Sequence, residues 1–191
     1  MYKKTMMTRS ELINDLKHRT EAIIKEITPF KALSEEVLNH RNSPSSWSIL
    51  ECLEHLNFYG DFYLPEIDAR IKQSQTTVNE EFNTGWLGNY FAVSMLPGEN
   101  GKLNKMKTFK VMNPIHKKLS VNTIDKFLAQ QQQMLELLER AKRMDLGKVK
   151  TSISISKWIK LKLGDTLRVV VYHNQRHVKQ AANVLKALQP Q

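Results

Sequence analysis

The chain's 191 residues are 41% hydrophobic, enough to enclose one continuous core, so a single domain over residues 1–191 is expected. No stretch approaches the ~18 consecutive apolar residues of a membrane span, and the basic residues of Met1–Thr8 have no apolar run behind them, which predicts a cytoplasmic protein with no membrane partner. The lone cysteine, Cys52, excludes an internal disulfide and a cysteine-based zinc knuckle, leaving histidine and carboxylate to hold any metal. The formal net charge is +10, and Lys102 to Lys118 contributes six lysines and no acid. That run lacks interleaved arginines and stacking aromatics, so a solvated face is expected ahead of a nucleic-acid surface. Steering an anionic small molecule toward a cleft is a third use.

In chain order, Thr8 and Glu11 have capping-box spacing, and Leu12, Leu16, Ile23 and Ile27 follow the helical period until Pro29. A short segment opens at Ser34, and Asn42–Ser46 with Pro44 reads as a loop. Ser48 and Glu51 form a second box, after which Cys52, Leu56, Tyr59, Tyr63 and Ile67 lie on one inward stripe. Pro65 predicts a kink there. Residues 76–121 form a long connection broken by Gly85, Gly88, Pro97, Gly98, Gly101 and Pro114, with a short apolar helix over Trp86–Met95. A structureless crossing of that length would be unusual, so part of it should fold over the bundle or line a site.

Asn122 and Asp125 open the third long helix, which Gly147 is expected to end. Ile153, Ile155, Ile159, Leu161 and Leu163 alternate as a strand would, yet no second convincing strand offers a partner; the expectation is an extended crossover with at most a short hairpin. Gly164 and Asp165 are expected to stop it and cap the last helix, with Leu167, Val170, Val171, Ala181, Val184 and Leu188 inward. The whole predicts an all-α bundle.

His173 and His177 are one turn apart on the core-facing side of that helix, where two neutral imidazoles are hard to satisfy without a shared ligand. The spacing arises by chance fairly often, and two core histidines are its plain alternative. His55 strengthens it, because it falls on the inward stripe between Cys52 and Tyr59, on the helix expected to face the last one. Imidazoles from both helices could then close on one divalent ion.

The Trp47-Ser48 opening, the Glu54-His55-Leu56 step, and the run from Gly164-Asp165-x-Leu167-Arg168 into Tyr172-His173-Asn174-Gln175-Arg176-His177-x-x-Gln180 together resemble the DinB-like superfamily of small bacterial proteins. The likeness covers the four helices in order and departs over 76–121. It implies a four-helix bundle of DinB-like topology, with a divalent metal, zinc or nickel foremost, on His55, His173 and His177. Some branches of that family are S-transferases using bacillithiol, mycothiol or glutathione, and another is a maleylpyruvate isomerase. The implied function is therefore a metal-dependent S-transferase or hydrolase that activates a thiol or water against a small-molecule substrate. The alternatives are a non-catalytic metal- or ligand-binding bundle, stress-related, and, further off, a basic nucleic-acid-binding protein.

Around this triad the catalytic candidates are Glu51, Tyr59 and Gln180. Glu51 could orient His55 or act as a base, though its capping position explains it otherwise; Tyr59 and Tyr63 could line the pocket or fill the core. Gln180 could contact a ligand or simply flank the helix, and Asn174 stands in the same doubt. Cys52 is expected to pack, and Arg176 and Lys179 to be surface charges, with a substrate carboxylate as their other use. His18, His40 and His116 have no partner spacing and are expected in solvent. Apolar residues near Trp86 could serve a homodimer contact.

Overall fold

The computed structural model describes residues 6–97 and 106–188, so Gly98, Gly101, Lys102, Lys105 and the residues before Met6 lie outside the described residues. Both capping boxes form. Thr8 accepts from the Glu11 amide while the Glu11 carboxylate accepts from the Thr8 amide, which starts α1, Arg9–Ile27. Pro29 then falls in a 3-10 turn over Thr28–Ala32, and Ser34 caps the short α2, Glu35–Asn39. The second reciprocal pair, Ser48 and Glu51, starts α3, Ile49–Gln73, which runs through Pro65 without ending there.

Among its described residues, the connection over 76–121 carries regular structure in three places. Glu81–Asn83 (β2) pairs antiparallel with Met6–Thr8 (β1), a ladder for which the sequence offered no signal. The expected helix over Trp86–Met95 forms as α4, and a 3-10 turn follows at Lys110–Met112. The next helix, α5, spans Asn122–Ala141 and stops short of Gly147, which instead sits in a turn where its amide donates to Asp145 Oδ1. The alternating segment does find a partner: Lys150–Ile153 (β3) and Ser156–Lys162 (β4) form an antiparallel hairpin, with an irregularity between Ser152 and Ile153. The last helix, α6, spans Leu163–Leu188 and begins directly after β4. Gly164 and Asp165 are thus inside its first turn, and Asp165 serves a different helix: its carboxylate accepts from the Gly85 amide at 2.7 Å, just ahead of α4.

The four long helices form the bundle. α3 packs on α5 and α6, and α1 packs on the same two, so α1 and α3 stand at opposite corners. One core cluster gathers Leu12, Leu16, Leu64, Ile67 and Leu138, and a second gathers Ile23, Leu50, Leu53, Phe127 and Val178. On α6 the polar run between Tyr172 and Val178 separates the two clusters, and that gap is where the histidines lie.

α4 lies on α6 at close range, because a Cβ at Gly88 would press against the Cβ and carboxyl of buried Asp165. Gly88→Ala is expected to push α4 off α6 at a net cost of about 1–2 kcal/mol, the clash outweighing the gain in helix propensity. Gly60→Ala should be near neutral, since the obstructing atoms there are the far end of the flexible Gln130 side chain. Urea unfolding of the two variants checks this, and equal midpoints would refute the close approach.

Candidate metal centre

His55 comes from the second turn of α3, and His173 and His177 from the middle of α6; their residues are only 3%, 9% and 8% exposed. Each offers one nitrogen to a group whose members all lie within 4.8 Å of one another, and His55 Nε2 is 3.2 Å from His173 Nε2. A tetrahedral ion bound at ~2.1 Å would hold its ligand nitrogens about 3.4 Å apart, so the cluster is already near coordinating dimensions. The rings stand edge to face, with centroids 4.6–5.0 Å apart.

The outer nitrogens of His55 and His177 are engaged. His55 Nδ1 donates to the Met112 carbonyl at 2.7 Å, and His177 Nδ1 donates to Gln180 Oε1 at 2.9 Å. Both contacts place the ring proton on Nδ1 and leave the Nε2 lone pair for the cluster. Two lone pairs directed into one buried spot suit a shared cation. Burial depresses all three imidazoles: His55 is lowered to about 4 against the pull of the Met112 bond, and His177 to about 3. His173 is pushed down by its burial and by the neighbouring His177 and His55. Neutral rings are the state that ligates, so the donor set fits a divalent metal.

The rings are also held by aromatics. Trp47 lies 4.7 Å from the His55 ring and 5.5 Å from His177, and its indole N–H donates to Asn113 Oδ1 at 3.1 Å. Tyr59 stands edge-on to His55 and His173 at 5.0 and 4.7 Å. Burial, with the nearby Tyr63, pushes its hydroxyl up to about 12, so at neutral pH it is a donor and not a base.

The other candidates distribute differently. Glu51 is buried and spent on its cap, on a bidentate pair with Arg41 at 2.7 and 2.8 Å, and on the His116 amide at 2.6 Å; the group orienting His55 is the Met112 carbonyl instead. Gln180 orients His177. Asn174 points away, donating to Gln131 on α5 at 2.9 Å. Cys52 is buried in the core, and burial drives its thiol far above the ordinary range, out of reach as a nucleophile. Arg176, expected at the surface, is 6% exposed. His18, His40 and His116 are exposed, as are Lys179 and, near the chain's other apolar helix face, Trp86. Sequence reasoning missed Met112 and Asn113 as supports. A backbone carbonyl has no side-chain signature, but the Trp47-Ser48 pair was already conspicuous.

The histidines form one wall of a cavity of about 860 Å³ that opens to solvent. Its other walls come from α4, through Phe91 and Met95, and from the hairpin, through Ile153 and Leu161. An ion here would therefore be reachable by a small molecule, unlike one in a closed structural site. Among the described residues no helix is long and apolar enough to cross a membrane.

Neither the curated proteins nor the solved structures contain a match to this chain. A family model does match, over residues 18–181, a span that holds His55, His173, His177 and everything between them. On that match, and with a mostly helical bundle to go with it, the chain belongs to the DinB superfamily.

Proposed function

We propose that His55, His173 and His177 hold a divalent ion, zinc or nickel, in an enzyme that activates a thiol or water against an electrophilic small molecule in the adjoining cavity. The observation that carries this reading is the convergence of three neutral, buried imidazole nitrogens on the wall of an open cavity. Such an ion, when bound, supplies Lewis acidity, which lowers the pKa of a thiol or water reaching it. The surrounding residues prepare the place: Met112 and Gln180 fix two of the rings, Trp47 and Tyr59 shield their flanks from water, and the Tyr59 hydroxyl remains a donor. S-transfer with a low-molecular-weight thiol as co-substrate is the first expectation, and hydrolysis the second.

The test is a thiol panel. Zinc- or nickel-loaded protein is incubated with monochlorobimane and, in turn, bacillithiol, mycothiol, glutathione or cysteine, beside His177→Ala. At least one thiol should give a metal-dependent rate, and the variant should lose about a hundredfold in both rate and metal affinity. A rate unchanged by the substitution would take the chemistry away from the three histidines, and rates absent with every thiol and with water on an activated ester would leave a non-catalytic binding bundle.

A further inference from the structure

Three of the chain's exposed large apolar side chains stand together. Met106, Phe109 and Ile155 are 49%, 52% and 48% exposed, and all three line the cavity beside the histidines. They come from separate parts of the chain, the stretch ahead of the Lys110–Met112 turn and the tip of the hairpin. Single exposed apolar residues are ordinary, but three gathered on one opening mark a surface that something apolar covers. Farther in, α4 sets buried Gly88 and Ala92 on one face, Gly88 against Asp165 of α6, and half-buried Phe91 and Met95 on the adjoining face, where they line the cavity. Its small residues thus serve the helix contact and its bulky ones the cavity. Several polar groups around the cavity are already occupied. Asn113 Oδ1 accepts from the Trp47 indole and the Ile115 amide, Gln180 Oε1 accepts from His177, and Ser154 and the Tyr63 hydroxyl hold one another. Arg176 is engaged within the protein as well. Away from the three imidazoles, recognition therefore falls chiefly to apolar contact, and a charged body would be desolvated there against apolar side chains.

We infer that the cavity takes a small molecule with an uncharged apolar body, packed between α4 and the hairpin with Phe109 and Ile155 over its outer end. A cavity of about 860 Å³ suits a body of roughly ten to twenty non-hydrogen atoms. The inference rests on the cavity being the substrate site, and under the proposed function that molecule is the electrophile.

The probes are butanol, hexanol and octanol, uncharged and unreactive, titrated calorimetrically into the full chain with EDTA. Each added methylene should tighten binding about threefold, so octanol should bind on the order of a hundredfold more tightly than butanol. Phe109→Ser and Ile155→Ser, both at exposed positions, should each weaken octanol about threefold. Trp158→Ser removes an apolar side chain that is 94% exposed and lies off the cavity, and it should leave octanol binding unchanged. Octanoate and octylamine should bind no more tightly than octanol. Affinity that does not rise with chain length overturns the inference. So does a rise that both cavity variants leave intact, a loss in Trp158→Ser equal to theirs, or a tenfold preference for either charged probe. The thiol panel judges the metal reading separately. The expected alcohol series beside a protein with no metal-dependent rate sustains this inference and ends the enzymatic reading, and a metal-dependent rate beside a flat alcohol series does the reverse.

Discussion

Metal-free protein is expected to lose stability steeply as the pH falls from about 7.5 to 5, and zinc should restore much of it. The ground is the burial of three imidazoles that the fold keeps neutral. An unfolded histidine titrates near 6.5, whereas His55 is lowered to about 4 and His177 to about 3 in the folded chain. Between those values the unfolded state binds more protons, so the contribution is whole above pH 6.5 and drains away as the pH drops toward the folded value. At pH 5 each of these two groups accounts for roughly 2 kcal/mol, and His173 adds to the loss in the same direction. Against the 5–15 kcal/mol typical of a whole domain, roughly 4 kcal/mol amounts to a fall in Tm of about 8–16 °C. Thermal melts at pH 7.5, 6 and 5 with EDTA measure it. A Tm flat across that window would mean that the rings are solvated, and the metal centre would go with them.

Of the buried carboxylates Glu51 lies below that window, whereas burial raises Asp165, whose protonation as the pH falls works against the loss from the histidines. Glu51 meets a burial penalty that alone would raise it, but hydrogen bonds from Arg41, Ser48 and the His116 amide hold it below its usual 4.5. Its contribution is therefore intact at pH 5 and disappears only at greater acidity. Zinc requires the same neutral rings that acid removes, so the loaded protein should show its transition at lower pH than the metal-free one.

What could be read in the sequence was what depends on neighbours a few residues apart. Thr8 with Glu11 and Ser48 with Glu51 start two helices through reciprocal bonds across three residues, and both formed. The helical period turned His55, His173 and His177 inward on helices that do pack together. The failures were non-local. β1 pairs with β2 across the whole of α1, α2 and α3, and β3 is too short to announce itself as the partner of β4. Gly147 looked like a helix terminus because glycine commonly is one, yet the chain had already left α5 at Ala141. Arg176 misled for another reason: α6 is enclosed by α1, α3 and α4, so even residues off its apolar stripe are covered. A charged residue on a helix with neighbours all round is a wall of something, here of the cavity.

Glu51→Ala is expected to cost about 3 kcal/mol and to weaken metal binding about tenfold without touching the ion's ligands. The carboxylate is 1% exposed and joins three parts of the chain: the Ser48 amide at the start of α3, the Arg41 guanidinium in the preceding loop, and the His116 amide. Removing it leaves a partly buried guanidinium and two amides to find water, at a cost above that of a lost cap alone. His116 holds a left-handed backbone at φ 65°, unusual for histidine, and its amide bond to Glu51 helps to fix that turn. Just before it in the chain stand Asn113, which holds Trp47, and Met112, whose carbonyl orients His55. Loosening residue 116 therefore reaches the first ring of the site through the backbone. Glu51→Gln separates this from a role as base: it keeps the shape and one acceptor oxygen, so stability should fall by only about half as much and turnover should follow metal occupancy. A base at the ion would behave in the opposite way, with turnover lost at full zinc loading and an unchanged Tm. Nothing in the geometry favours that outcome, since both carboxylate oxygens are already committed away from the cavity.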